Sequence, residues 1–505
     1  MNLGRTGPVR ATSRFVTTAA TYMVTVLAAV VSSHPPAAAQ SVLRANVGIS
    51  PSSGLPAPSG VHLPFAGSAQ AVCGQPGTGA AQCLTDVLEP SATPRDATTP
   101  TGLSPETIED VYGYTSASTA GFGQTVAIVD SFNDPDAASD LNEFSAQYGL
   151  PTECSAGSSP PSCFQFRQVN QTGGSTLPTT NSAWDLEISL DVEWAHALAP
   201  AANILLVEAT DNYTPNLLAA EQYAADNADY VSNSWGSAEF AGEKSYDSYF
   251  TRLGVSYFVA AGDTGGAVEW PSSSPDVISV GGTSLTFTAG GGLVRETAWS
   301  DGGGGCSRYE IANAYQSTGS VNCGGRRATP DLALDADPRS GVSVYDSVPY
   351  EDDFGWFTIG GTSAATVMVA AESAVTGADV NAAYVYASPA NIPFRDITAG
   401  SNGYPALPGY NLATGLGSWS YIPAPNGLNA IGASPGLTLG GLEHHLRHGV
   451  PVVPQEDCNA PSGNLGRDAQ IGLVPRRHGS SPSDSRTAVR ACKSPRDGWH
   501  ERSRL

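Results

Sequence analysis

Asn203-Ile-Leu-Leu-Val-Glu-Ala209 is a nearly unbroken apolar run, followed by a helical period over 215–227 and by a second run, Tyr230-Val-Ser-Asn-Ser-Trp-Gly236. Strands without polar alternation are buried on both faces. Alternated with helices, they build a mostly parallel sheet covered on both sides. The pattern extends outward in both directions. Upstream, Thr125-Val-Ala-Ile-Val-Asp130 precedes a helical period over 136–148. Downstream, a helical period near 243–253 leads to Ser256-Tyr-Phe-Val-Ala-Ala-Gly-Asp263. The expected fold is α/β and doubly wound. In such sheets the site lies beyond the carboxyl ends of the strands, where Asp130, Ser234, Trp235 and Asp263 stand.

The chain has 505 residues, with 24 Lys+Arg against 47 Asp+Glu and a formal net charge of −23. Phosphate contacts need basic clusters, so this balance excludes nucleic acid as a partner. The charge is uneven: residues 41–429 hold 11 basic and 40 acidic side chains, and Lys244 is the one lysine among them. Such a body repels itself at neutral pH and is relieved near carboxyl pKa values. That fits work in acid, and equally an acidic protein kept soluble by its charge. A hydrophobic content of 41% supplies a core.

Arg5, Arg10 and Arg14 precede an uncharged stretch over 15–33, and Ala37-Ala38-Ala39 follows. This order predicts a secretory signal over 1–39, a secreted protein and no stable membrane association. Residues 40–100, rich in Pro, Gly and Ser, read as a linker or short pro-segment. The globular domain is expected over 101–430. Residues 431–505 show no useful period and read as a disordered tail. The Cys fall as neighbours, so the simplest pairing is Cys73–Cys83, Cys154–Cys163 and Cys306–Cys323, with Cys458 and Cys492 left in the tail.

Gly360-Gly361-Thr362-Ser363 ends in a serine at the start of an apolar helical run. That position gives a nucleophile the helix N-terminus. Its usual base is a histidine, but residues 100–430 hold only His196, set among Ala and Leu as a packed helix residue. One to two turns earlier, Glu187 and Asp191 stand four apart on one helix face. Like charges at that spacing destabilise a helix unless they share a proton, which raises one pKa and makes a base with its orienter. In isolation such a pair is more often two solvated acids.

These pieces occur in one order: Glu187-x-x-x-Asp191, Ser234-Trp235-Gly236, Ala261-Gly262-Asp263 and Gly360-Gly-Thr-Ser363. The set resembles the sedolisin family of serine-carboxyl peptidases, in its kumamolisin-like wording, from about 103 to 430. The resemblance implies a subtilisin-like fold and an acid-active serine-type endopeptidase, taken to be a monomer acting on proteins or peptides. It assigns Ser363 as nucleophile, Glu187 as base, Asp191 as the carboxylate sharing its proton and Asp263 as the oxyanion acid. Asp130 and Trp235 match groups that support Glu187. Asp396, Ile397, Leu407, Gly409 and position 411 resemble a calcium loop, in which Asn411 replaces an acid, so weakened Ca²⁺ binding is implied. Two further departures are Val367, where relatives carry Pro, and a leader of about 60 residues too Pro/Gly-rich for the family's folded pro-domain. The competing reading is a catalytically inactive secreted binding protein on the same scaffold.

Overall fold

The computed structural model describes residues 61–62, 64–90, 97–155, 158–316, 321–387 and 392–423. The expected signal and the tail lie outside them. The strand Thr125–Ser131 pairs in parallel with Asn203–Ala209 on one side and Tyr230–Asn233 on the other. Phe166–Asn170 extends the first side; Ser256–Ala260, Ile278–Thr288 and Leu332–Asp335 extend the second, all in parallel. Antiparallel pairing appears at the margins, through Val61–His62 and Leu293–Ala298. Strands later than Asn203–Ala209 are thus added on the opposite side of Thr125–Ser131, and in such sheets the site lies beyond the carboxyl ends at that point.

The expected α/β architecture is present. The helix Thr214–Asn227 packs on Thr125–Ser131 and Asn203–Ala209, while Thr362–Thr376 packs on the strands from Tyr230 to Asp335. The helix Ser182–Leu198 is capped by Asn181, whose side chain accepts from the N–H groups of Ala183 and Trp184. It is buried from Trp184 to Leu198, packed between Thr362–Thr376 and the strand Val342–Tyr350. This burial on all sides is what forces Glu187, Asp191 and Glu193 out of water. Between Tyr230 and Ala260 the expected helix is a 3₁₀ helix, Glu243–Phe250.

Of the stretch 40–100, expected as a linker or short pro-segment, the described residues 64–90 do not run as an open linker but pair with the domain. Residues Gly67–Ala71 pair antiparallel with Asp86–Pro90, which pairs in turn with the strand Asp353–Gly360. The physical reason is an apolar patch that meets free sheet edges far along the chain. Ala81, Cys83, Leu84, Val87 and Leu88 form an apolar patch inside the Pro/Gly-rich stretch, and all are buried. Sheet edges supply the backbone partners a linker would leave to water. All three predicted disulfides are present, Cys73–Cys83, Cys154–Cys163 and Cys306–Cys323; Cys458 and Cys492 lie outside the described residues.

Candidate active site

Ser363 is the second residue of the helix Thr362–Thr376. Gly361 precedes that helix at φ +100°, and any Cβ there would run into the Leu84 carbonyl oxygen. Glycine therefore serves both the turn and the close approach of a second chain segment. Residues Gln82 and Cys83 of that segment pair antiparallel with Gly236 and Trp235. The Leu84 N–H donates to the Ser234 carbonyl at 3.1 Å. At the Leu84 carbonyl oxygen the Ser363 N–H donates at 3.2 Å and the Ser363 hydroxyl at 2.6 Å. The serine thus faces the peptide carbonyl that directly follows the short strand Gln82–Cys83.

Asp263 approaches from the loop after Ser256–Ala260. Its Oδ1 accepts from the N–H and the hydroxyl of Thr362, both at 2.8 Å. Its Oδ2 is buried without a partner and lies beside Gly361, next to the space holding the Leu84 oxygen. Burial, with Asp86 nearby, holds the Asp263 carboxyl well above the usual range. A neutral acid keeps a proton to donate, and the free oxygen is where it points.

Packing of Ser182–Leu198 on Thr362–Thr376 carries Glu187 to Ser363. Burial pushes Glu187 far up, and the charges of Asp191 and Asp130 add to this. The hydroxyls of Thr85 and Ser363 pull the other way, although neither completes a hydrogen bond with good geometry. Asp191 is likewise raised, by burial and then by Asp130, while the Ser234 hydroxyl lowers it slightly. Asp130, in the strand Thr125–Ser131, is raised by burial to about 8. Three carboxyls so close in a dry site cannot all ionise, so they hold protons in common.

Trp235 lies in the strand that pairs with Cys83, its ring 5.9 Å from that of Trp270. Among the described residues its indole N–H has no hydrogen-bond partner, so no such bond joins it to Asp130. His196 is a packed helix residue as expected. Its Nε2 lies 2.8 Å from the Pro151 carbonyl, its ring is 3.9 Å from that of Phe164, and burial lowers its pKa to about 4.

Sequence reasoning missed four participants. Thr362 stands inside the serine motif and could have been singled out there. Leu84 and Thr85 had no signal beyond the neighbouring Cys83. Glu269, raised by burial to about 7, adds its charge to the field at Asp263.

The expected calcium loop is closed on itself. The Asn411 Nδ2 donates to the carbonyls of Leu407, Gly409 and Ile397 at 3.1, 3.3 and 3.4 Å. Its Oδ1 accepts from the N–H groups of Ala413 and Thr414 and from the Thr414 hydroxyl. Those three donors fix the amide orientation, so the NH₂ must face the carbonyls. The Asp396 carboxylate is bonded to the Gly409 N–H at 3.1 Å. Because an amide group stands where a cation would meet these oxygens, the residues present do not fit Ca²⁺.

A model of the subtilase family matches residues 178–392. Kumamolisin from Bacillus sp. (strain MN-32) is 31% identical over 363 residues, covering 63% of this chain and 62% of its own length. Sedolisin from Pseudomonas sp. (strain 101) is 28% identical over 395 residues, covering 69% and 63% respectively. The chain is similar to the sedolisin family of serine-carboxyl peptidases and shares its subtilisin-like fold. The solved structure of Pseudomonas sedolisin, complexed with two molecules of pseudo-iodotyrostatin, matches at a TM-score of 0.54 and 27% identity. That match covers 64% of this chain and 96% of the other. The chain spans less than two thirds of the length of these two curated relatives.

Proposed function

We propose that this protein is a serine-carboxyl peptidase that hydrolyses peptide bonds in acid through an acyl-enzyme on Ser363. The observation that carries the reading is the carbonyl of Leu84, held by the N–H and hydroxyl of Ser363 just after the strand Gln82–Cys83, which pairs with Gly236 and Trp235. A peptide substrate presented in that register would bring its scissile carbonyl to the nucleophile. Glu187 takes the Ser363 proton and hands it to the leaving nitrogen, since its carboxyl is sensed by both Ser363 and the residue after the carbonyl. Asp191 and Asp130 share protons with Glu187 and set when it acts as base. The neutral Asp263 donates from Oδ2 to the oxyanion beside the Ser363 N–H. Thr362 orients that acid.

Three disulfides support an oxidising, extracellular setting. Among the described residues no helix is long and apolar enough to cross a membrane. Extended peptides are the partners in this reading, and one chain carries every group it uses. The test is hydrolysis of denatured casein by the full chain at about pH 4, near carboxyl pKa values. Ser363→Ala should lose turnover with an unchanged circular dichroism spectrum. Retained turnover would remove Ser363 from the mechanism.

A further inference from the structure

Leu84 presents its carbonyl to Ser363, so Thr85 and Asp86 mark the first and second places beyond a cut bond. Asp86 pairs antiparallel with Gly360 and Val87 with Ile359, so the far half of a substrate would add a strand to Asp353–Gly360. Two loops bring acids to the place of Asp86. A Cβ on Gly360 would meet the Ala336 carbonyl oxygen at 2.4 Å and the Pro338 nitrogen at 2.5 Å, so the loop carrying Asp337 lies directly against that pairing. Asp337 is buried and anchored: its Oδ2 accepts from the Ser284 hydroxyl at 2.8 Å and its Oδ1 from the Arg339 N–H at 3.0 Å. The second loop is tied to the one that carries Asp263. The Gly265 N–H donates to the Asp301 carbonyl at 2.7 Å and the Gly266 N–H to the Gly302 carbonyl at 3.1 Å, which leaves the Asp301 residue exposed at the rim. The Asp86 carboxyl is raised to about 6 by burial, by the charge of Asp301 and then by that of Asp337.

We infer that Asp301 and Asp337 make the second place beyond the scissile bond selective for lysine or arginine, so that the substrates of this cleft are peptides with a basic residue there. The inference rests on the peptidase reading above and names the substrate class of the same cleft. Two acids that repel a carboxylate attract a cation from the same positions. Burial opposes a charge of either sign, and here the length of the side chain decides. Lysine and arginine lay an apolar stem along a buried wall and carry the charge out towards the rim, where Asp301 stands. The Arg339 guanidinium, 40% exposed, lies 3.7 Å from the Asp337 Oδ1 and offsets part of that charge, which leaves Asp301 the larger share of the discrimination. Neither acid is among the groups that meet the Leu84 carbonyl. Their attraction is the same before and during the reaction, so it should lower KM and leave kcat nearly alone.

The experiment gives the full chain, at about pH 5 and so above the usual carboxyl range, a set of quenched fluorescent peptides. They share one sequence with Leu before the cut and Thr after it, and carry Lys, Arg, Met or Glu at the next place; mass spectrometry of the products confirms the bond cut. The Lys and Arg peptides should exceed the Met peptide by about tenfold in kcat/KM, as two partly screened ion pairs allow. The Glu peptide should be the poorest, the differences should lie in KM, and they should shrink in about 1 M salt. Asp301→Asn should lower the Lys-to-Met ratio, and Asp301→Lys should reverse the order of Lys and Glu. Asp337→Asn should lower the ratio as well. Asp301 is exposed, so its two variants decide the matter should Asp337→Asn fail to fold. If the four peptides are cut alike, or if the ratio survives both Asp301 variants, the selectivity is refuted while the peptidase stands. If no peptide is cut, or Ser363→Ala cuts as well as wild type, the peptidase reading fails and takes this inference with it.

Discussion

Asp263 spends one oxygen on Thr362 and none on anything else: its Oδ1 takes both the N–H and the hydroxyl of that residue, while Oδ2 is buried and unpartnered beside the Leu84 carbonyl. The bonded oxygen fixes the carboxyl plane, and the remaining oxygen must carry the proton to be of use.

Asp263 therefore has a specific pH signature. Its pKa is raised, so it is protonated in acid and ionises as pH rises. An anion would repel the developing oxyanion, and activity should fall on the alkaline side. Asp263→Asn keeps a donor at every pH. It should lose rate in acid yet flatten the part of the alkaline limb that Asp263 causes. Asp263→Ala should lose about 10²–10³ in kcat. The measurement is kcat/KM against pH for the three forms, and identical profiles for Asn and Ala would show a structural role only.

The calcium loop yields a prediction of opposite sign to the usual one. Wild-type Tm should be indifferent to chelator and to added Ca²⁺, because Asn411 already satisfies the carbonyls. Asn411→Asp removes three donated bonds and places a carboxylate against their acceptors. Unsatisfied buried groups cost about 1–3 kcal/mol each, so Tm should drop by several degrees in chelator. Millimolar Ca²⁺ should restore it in the variant alone. A wild-type Tm that falls in chelator would show that a cation, not the amide, holds the loop.

The parallel sheet was legible because its strands are apolar throughout, and the strand Asn203–Ala209 falls where the run predicts it. Glu187 and Asp191 were legible because four-residue spacing puts two acids on one helix face. The neighbouring acids Asp185 and Glu193 look alike in sequence, and only burial against other elements separates their surroundings. The cleft segment was hidden for another reason. Its composition is that of a linker, and its order comes from pairing with strands more than a hundred residues away. Asn411 was read as a lost charge; the structure adds that its amide makes the bonds a cation would make.

Stability should decline as pH rises, and Glu221 offers the cleanest probe. Burial raises Glu221, Asp130, Asp185 and Glu208 to about 8. Unfolded carboxyls titrate near 4, so between about 4 and 8 the native state binds more protons than the unfolded one. Stability contributed by these groups is complete below the unfolded pKa and is lost as pH climbs through the folded value. His196 opposes them, since its lowered value of about 4 favours the folded state as pH rises towards 6.5. One imidazole set against four carboxyls loses, and the net slope is negative. Glu221 sits on the helix Thr214–Asn227, outside the catalytic cluster, with both side-chain oxygens buried and only the Asn233 side chain close enough to offset part of the burial. Glu221→Gln removes the titration while keeping the shape. In Ser363→Ala protein, which avoids self-digestion, calorimetry from pH 4 to 8 should show Tm falling with pH. Adding Glu221→Gln should flatten that fall, raising Tm at pH 7.5 far more than at pH 4. A gain that is equal at both pH values would mean that Glu221 is ionised throughout, with water reaching it.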